Sequence, residues 1–160
     1  MSMSAPFPFH PRDFGLESHA SSTACHRGYW CEFAIADREL RLQTLYLYNE
    51  NDHYPPFLGK LVSPQEFREV TYSVGEKTYT RLSPAHYGHR VYRDVDLPIP
   101  YTGSILLGCG FMPEYYVHGG FQRSWAYREL IELTFEKGKL TDCLDQSHLA
   151  QAQRQRMQRQ

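Results

Sequence analysis

The sequence predicts a mainly β protein: a β-dominated α+β domain built on a curved antiparallel sheet or a β-sandwich. Three observations carry that expectation. Apolar residues recur at period two in several short stretches, the pattern of strands with one buried face. Aromatic residues make up 14% of the chain, with twelve Tyr and nine Phe, a mixture that favours strands over helices. Eleven Gly and ten Pro break the alternation often, as strands joined by turns require. At 160 residues the chain is long enough for one domain with a real core, and one body over 1–148 is expected, followed by a polar tail over 149–160.

The first stretch, 1–24, alternates Pro and Phe (Pro6, Phe7, Pro8, Phe9, Pro11) before turning polar. Proline fixes φ and removes a donor, so an extended arm is expected, laying its Phe side chains on the domain. Tyr29, Cys31, Phe33 and Ile35 then share one face. After Asp37-Arg38 the pattern resumes through Leu40, Leu42, Leu45 and Leu47, which predicts a hairpin. Ser63-Pro64-Gln65-Glu66 has the form of a capping box with Pro at the first helical position, predicting a short helix near 63–70. A second hairpin is expected from Val70 to Val74 and Thr78 to Leu82 around Gly75-Glu76-Lys77. A further strand is expected from Arg90 to Val95, ended by Leu97-Pro98-Ile99-Pro100. Ile105 to Leu107 is a buried-looking run and Tyr115 to Val117 a candidate short strand. Tyr127, Glu129, Ile131, Leu133 and Phe135 alternate into a turn at Glu136-Lys137-Gly138-Lys139, where Gly138 can take a positive φ, and Leu140 to Leu144 returns. The Gln/Arg-rich tail is polar all round; either one polar helix or disorder is expected there, contributing little to folding.

Charge and cysteine usage narrow the function classes. The formal net charge is −1, but Arg154, Arg156 and Arg159 lie in the tail; setting these three aside from 17 basic residues leaves 14 against 18 acidic ones. Such a body does not attract phosphate backbones, so nucleic acid is disfavoured and a protein partner preferred. Met1 to Phe14 has neither a basic n-region nor an apolar h-region, no run is long enough to span a bilayer, and four Cys make no dense disulfide framework. A cytoplasmic protein without a membrane segment is expected.

Cys25, His26, Cys31, Cys143 and His148 lack the spacing of a zinc site, and Cys31 shares an apolar face with Phe33, so no metal and no cofactor are expected. Gly108-Cys109-Gly110 with His118 as base could present a nucleophile, but a small residue between turn glycines accounts for it. His118-Gly119-Gly120 has the form of an oxyanion loop without any G-x-S-x-G elbow. Asp94 and Asp96 on one strand face could act as an acid–base pair, although a solvated edge explains them.

The loop from Tyr115 to Tyr127 gathers Tyr115, Tyr116, His118, Gln122, Arg123 and Trp125, residue types that anchor protein interfaces because they bury large area with few rotors. Partner binding is therefore placed there, with Arg27 and Tyr101 nearby. The opposing reading is that these aromatics plug the ends of a sandwich.

Two stretches carry a resemblance. Ser22-Thr23-Ala24-Cys25-His26-Arg27-Gly28-Tyr29, followed by a Phe/Ile hairpin, is one. Leu97-Pro98-Ile99-Pro100-Tyr101-Thr102-Gly103-Ser104-Ile105-Leu106, followed by Tyr116-Val117-His118-Gly119-Gly120-Phe121-Gln122, is the other. Spanning roughly 21 to 140, they resemble small bacterial proteins similar to the compact intracellular immunity factors that accompany secreted toxins. The resemblance implies binding and neutralising a cognate toxin rather than catalysis. Two alternatives stand beside it: a small hydrolase or ligand-binding enzyme with a pocket near His118, Tyr101 and Arg123, and an accessory subunit tethered to a larger intracellular complex.

Overall fold

The computed structural model describes residues 2–3, 7–23, 25–118 and 122–157, so the expectations that rest on Pro6, Ala24, Gly119, Gly120, Phe121 and Arg159 lie outside the described residues. Among the described residues there are ten strands and one α-helix. The strands are β1 (Ser2–Met3), β2 (Tyr29–Ala36), β3 (Glu39–Leu47), β4 (Phe67–Val74), β5 (Lys77–Pro84), β6 (Arg90–Tyr92), β7 (Leu97–Pro98), β8 (Gly103–Phe111), β9 (Tyr127–Glu136) and β10 (Lys139–Asp145). The helix is α1 (Ser147–Met157). The fold is mainly β with antiparallel sheets, as the alternation and turn spacing predict. The chain falls into two compact units, one of Met1–Pro8, Ile35–Leu40 and Ile99–Gln160, the other of Phe9–Ala34 and Arg41–Pro98.

In the first unit the order is β1, β8, β9, β10, and β10 meets the tip of the β2–β3 hairpin where Lys139 faces Glu39. Ile105 pairs with Leu133, and Leu140 with Phe135, so the apolar face of β9 (Leu130, Leu133, Phe135) is buried. Both turns here carry positive φ at both central residues, 50° and 63° at Asp37 and Arg38 and 50° and 85° at Lys137 and Gly138, the φ signs of the type I′ turn that matches strand twist. Gly138 is required for a second reason. Its N–H donates to the Tyr101 carbonyl at 2.7 Å, and a Cβ there would lie 2.4 Å from the Ile99 carbonyl oxygen.

The C-terminal segment takes the helical alternative. Residues 147–157 are helical, and Ala150 is 1% exposed. The Arg154 guanidinium donates to the carbonyls of Trp125 (2.9 Å) and Tyr127 (2.7 Å), and the Ser147 hydroxyl accepts from the Leu130 N–H at 3.0 Å. An apolar stripe was not needed. One small buried residue and a half-buried arginine bonded to backbone carbonyls dock the helix.

In the second unit β3 pairs with β6 (Leu45 opposite Tyr92) and with β7 (Leu42 opposite Leu97). Leu42, Leu45 and Leu47 are fully buried. The N-terminal arm is packed rather than loose: Phe9 is buried, stacked on Phe14 at 5.3 Å between ring centroids and tilted against Phe57 at 6.0 Å, and Pro11–Phe14 forms a 3-10 turn.

Three local expectations are corrected here. The helix near 63–70 is absent. The Ser63 N–H donates to the Val91 carbonyl (2.8 Å), and the Glu66 carboxylate, instead of reaching back to cap, holds Arg93 (2.6 Å) and His86 (3.2 Å); β4 then begins at Phe67. Tertiary partners outbid the capping box for both of its groups. The strand expected over Arg90 to Val95 ends at Tyr92, because Asp94 and Asp96 adopt left-handed backbone (φ 51° and 53°) and therefore form no strand face. Arg41 and Gln43 take the Asp96 carboxylate at 2.6 and 3.3 Å, and Arg41 holds it below the usual aspartate range. Tyr115 closes a 3-10 turn, Pro113–Tyr115, in place of the candidate strand at 115–117.

Candidate functional site

The expected interface loop lies in the first unit. Tyr116, Val117, His118 and Arg123 are exposed there, while Tyr115, Gln122 and Trp125 are half-buried. Gln122 closes the loop on itself: its side-chain oxygen accepts from the Val117 N–H (2.9 Å) and its amide donates to the Val117 carbonyl (2.8 Å). The Arg123 guanidinium lies 5.9 Å from the Trp125 ring centre. Tyr101 does not belong to this surface. It is 5% exposed, its ring packs edge-on against Phe135, and its hydroxyl donates to the Ser104 carbonyl, so it is a core residue. Arg27 belongs to the second unit, exposed, with its guanidinium 5.4 Å from the Tyr29 ring.

Among the described residues, neither the Cys109–His118 pair nor a zinc set assembles, and Asp94 and Asp96 share no strand face. Cys109 sits exposed in β8 opposite Glu129, and among the described residues no hydrogen bond joins it to His118. Among the described residues no group of three or more His, Cys, Asp or Glu side chains is placed to hold a metal, and all four cysteines are free thiols. Burial pushes the Cys31 thiol up to about 12, which keeps it protonated and inert. A cleft of about 430 Å³ in the second unit is lined by Arg12, Gly15, Leu16, Glu17, Ser18 and His19, not by His118 or Arg123.

Two other features of the second unit stand out, and sequence reasoning passed over both. The first is the β4–β5 ribbon, a two-stranded sheet with no third strand. Its register sets Arg68, Val70, Tyr72 and Val74 opposite Ser83, Arg81, Tyr79 and Lys77 on one face. That face therefore carries three basic side chains, two tyrosines and two valines, and no carboxylate. Tyr72 and Tyr79 stack with centroids 5.7 Å apart, and the Arg81 guanidinium lies 5.7 Å from the Tyr72 ring. Phe67, Val74 and Leu82 are each at least 60% exposed. The signal was present in the period-two placement of Arg68, Lys77 and Arg81 with the tyrosines.

The second feature is centred on His89, which is 2% exposed. Its ring lies 4.2 Å from that of Trp30, and Trp30 stacks on Tyr46 at 4.8 Å. Its Nδ1 is 2.9 Å from the His86 carbonyl oxygen, so Nδ1 carries the hydrogen and donates it. The lone pair is thus on Nε2, which faces Ser21 Oγ at 3.3 Å and Cys25 Sγ at 3.8 Å. Burial pushes the imidazole below its ordinary 6.5, so it is neutral at physiological pH. The segment presenting this ring is strained: His86, Tyr87 and Gly88 are all left-handed, with φ of 51°, 55° and 84°. Glu66 anchors it through His86, and Arg93 and His86 together hold the Glu66 carboxyl below the usual carboxylate range. Cys25 and His89 are 64 residues apart, a distance at which no motif in the sequence joins them.

No family model matches the chain, nor does any curated protein or solved structure.

Proposed function

We propose that this chain is a protein-binding domain that docks the basic, aromatic face of its β4–β5 ribbon onto an acidic surface of a partner protein, the part an immunity factor plays toward its toxin. The observation that carries the reading is that face itself: Arg68, Lys77 and Arg81 interleaved with Tyr72 and Tyr79, with no acidic side chain among them. A two-stranded ribbon gains little from its own pairing, and exposed Val74 and Tyr72 on this face cost solubility, so the arrangement makes physical sense when another surface covers it. Arginine and tyrosine are the residues that anchor interface centres, and the charge selects an acidic counterpart.

The test compares the natural chain with an Arg68→Glu/Arg81→Glu variant as paired baits, each capture being quantified by mass spectrometry. The variant is expected to lose the partner by about thirtyfold or more, as truncated interface anchors do, while its melting temperature stays unchanged. The captured protein should be acidic on its docking face, and co-expression should relieve whatever toxicity it has. Unchanged capture by the double variant, loss of capture instead on Arg123→Ala or Trp125→Ala, or capture of nucleic acid alone would each overturn the ribbon as the binding face.

A further inference from the structure

A thiol attacks carbon as its thiolate, and at neutral pH most thiols need a base to reach that state. The geometry around His89 supplies one. The ring is fixed by its Nδ1–H donation to the His86 carbonyl, so the lone pair on Nε2 has one direction to face. In that direction lie the Cys25 thiol and the Ser21 hydroxyl, at 3.8 and 3.3 Å. His89 is buried against Trp30, whereas Cys25 and Ser21 are half-buried, so an incoming group meets the sulfur first, with Nε2 directly behind it. Three consecutive left-handed residues, two of them non-glycine and therefore strained, are held in place to present this ring.

We propose that Cys25 is a nucleophile with His89 as its general base, and that it takes an acyl group from a small activated ester or thioester. Sγ attacks the carbonyl carbon as the thiol proton passes to Nε2 of His89. The tetrahedral adduct collapses, the bond to the leaving alcohol or thiol breaks, and Nε2 returns the proton to that leaving group. The product is an acyl-thioester on Cys25. Water, deprotonated by the same nitrogen, then attacks the thioester carbonyl, releases the carboxylic acid and restores the thiol. No oxidant, reductant or metal enters the balance. Ser21 shares Nε2 and competes with the thiol for the lone pair; its hydroxyl is the weaker nucleophile of the two at neutral pH.

The probe is p-nitrophenyl acetate on the full chain at near-neutral pH, with the acetyl group mapped by peptide mass spectrometry. Cys109 and Cys143, both exposed, serve as internal references. Cys25 is expected to be acetylated about tenfold or more faster than either, and the preference should vanish in concentrated urea, where the base is no longer in place. His89→Asn should slow Cys25 by about a hundredfold, the low end of general-base contributions, and leave Cys109 unchanged. Because His89 is buried, Ser21→Ala is the second variant: releasing the shared lone pair should raise the Cys25 rate, and a lowered rate would overturn the assignment. The pH profile is a further readout. Cys25 should lose rate less steeply on acidification than the urea-unfolded chain, since its proton moves to a neutral imidazole within the step. Faster labelling of Cys109 or Cys143 than of Cys25 in the folded protein, acetyl found on Ser21, or a Cys25 rate that is the same folded and unfolded would overturn the assignment. None of these outcomes depends on the ribbon.

Discussion

Strands β4 and β5 pair residue for residue around Gly75-Glu76, and β9 and β10 pair around Lys137-Gly138. Both hairpins alternate, both turn on a glycine with positive φ, and both are of similar length. Yet Leu130, Leu133 and Phe135 of β9 are buried, with β8 on its other edge and α1 packed nearby, whereas β4 and β5 are exposed along nearly their whole length. Period two sets which residues share a face; it does not say whether anything lies on that face. What separates the two hairpins is the third strand, and that is a property of the whole chain.

The largest test of this contrast makes the same chemical change in both places. Leu130 is 3% exposed and Leu82 69%. Leu130→Ala should cost about 2–5 kcal/mol, the range for emptying a core leucine site, whereas Leu82→Ala should stay within about 0.5 kcal/mol. Denaturant titration of each variant measures both. A large loss at Leu82 would mean that the ribbon is covered after all.

The turns differ in the same way. Gly75 (φ 61°) has nothing within 4 Å of where a Cβ would sit, so Gly75→Ala meets only the left-handed backbone, about 1–2 kcal/mol. At Gly138 the added carbon would also press on the Ile99 carbonyl, 2.4 Å away, and on Pro100. Gly138→Ala should therefore exceed Gly75→Ala by about 1 kcal/mol or more, again by denaturant midpoint. Equal costs would show that the crowding relaxes and that backbone conformation alone governs both turns.

Much of this fold was legible in the sequence, for physical reasons that also mark where legibility stopped. The hairpin at Tyr29 to Leu47 and its Asp37-Arg38 turn are local facts of alternation and turn chemistry, and the structure places them within a residue or so. Ser63 and Glu66 misled because their capping groups found better partners in Val91, Arg93 and His86, which lie 20 or more residues away in the chain. Arg154 docks the tail helix through backbone carbonyls, partners that sequence does not display. Tyr101 has the composition of an interface residue and the environment of a core one. Cys25 neighbours His26 in sequence, but its contacts are the distant His89 ring and the Tyr29 carbonyl.

The smallest effect concerns what holds the ribbon together. Tyr72 and Tyr79 lie directly opposite each other, rings stacked at 5.7 Å and inclined by 21°, with Arg81 beside Tyr72. Cross-strand aromatic pairs contribute about 0.2–1 kcal/mol, a small share of a domain's stability but a large one for a two-stranded ribbon that is marginal alone. A double-mutant cycle, Tyr72→Ser with Tyr79→Ser, should thus give a coupling of about 0.5 kcal/mol when read from amide exchange of β4 and β5, and almost none when read from global unfolding. Amides of β9 and β10, held by β8 and the hairpin tip, should exchange far more slowly and be untouched by either substitution. Ribbon amides as protected as those of β9 would remove the contrast between the two hairpins. Protection that appears only when the captured partner is added would locate the missing cover, because binding then supplies the burial that β8 supplies to β9.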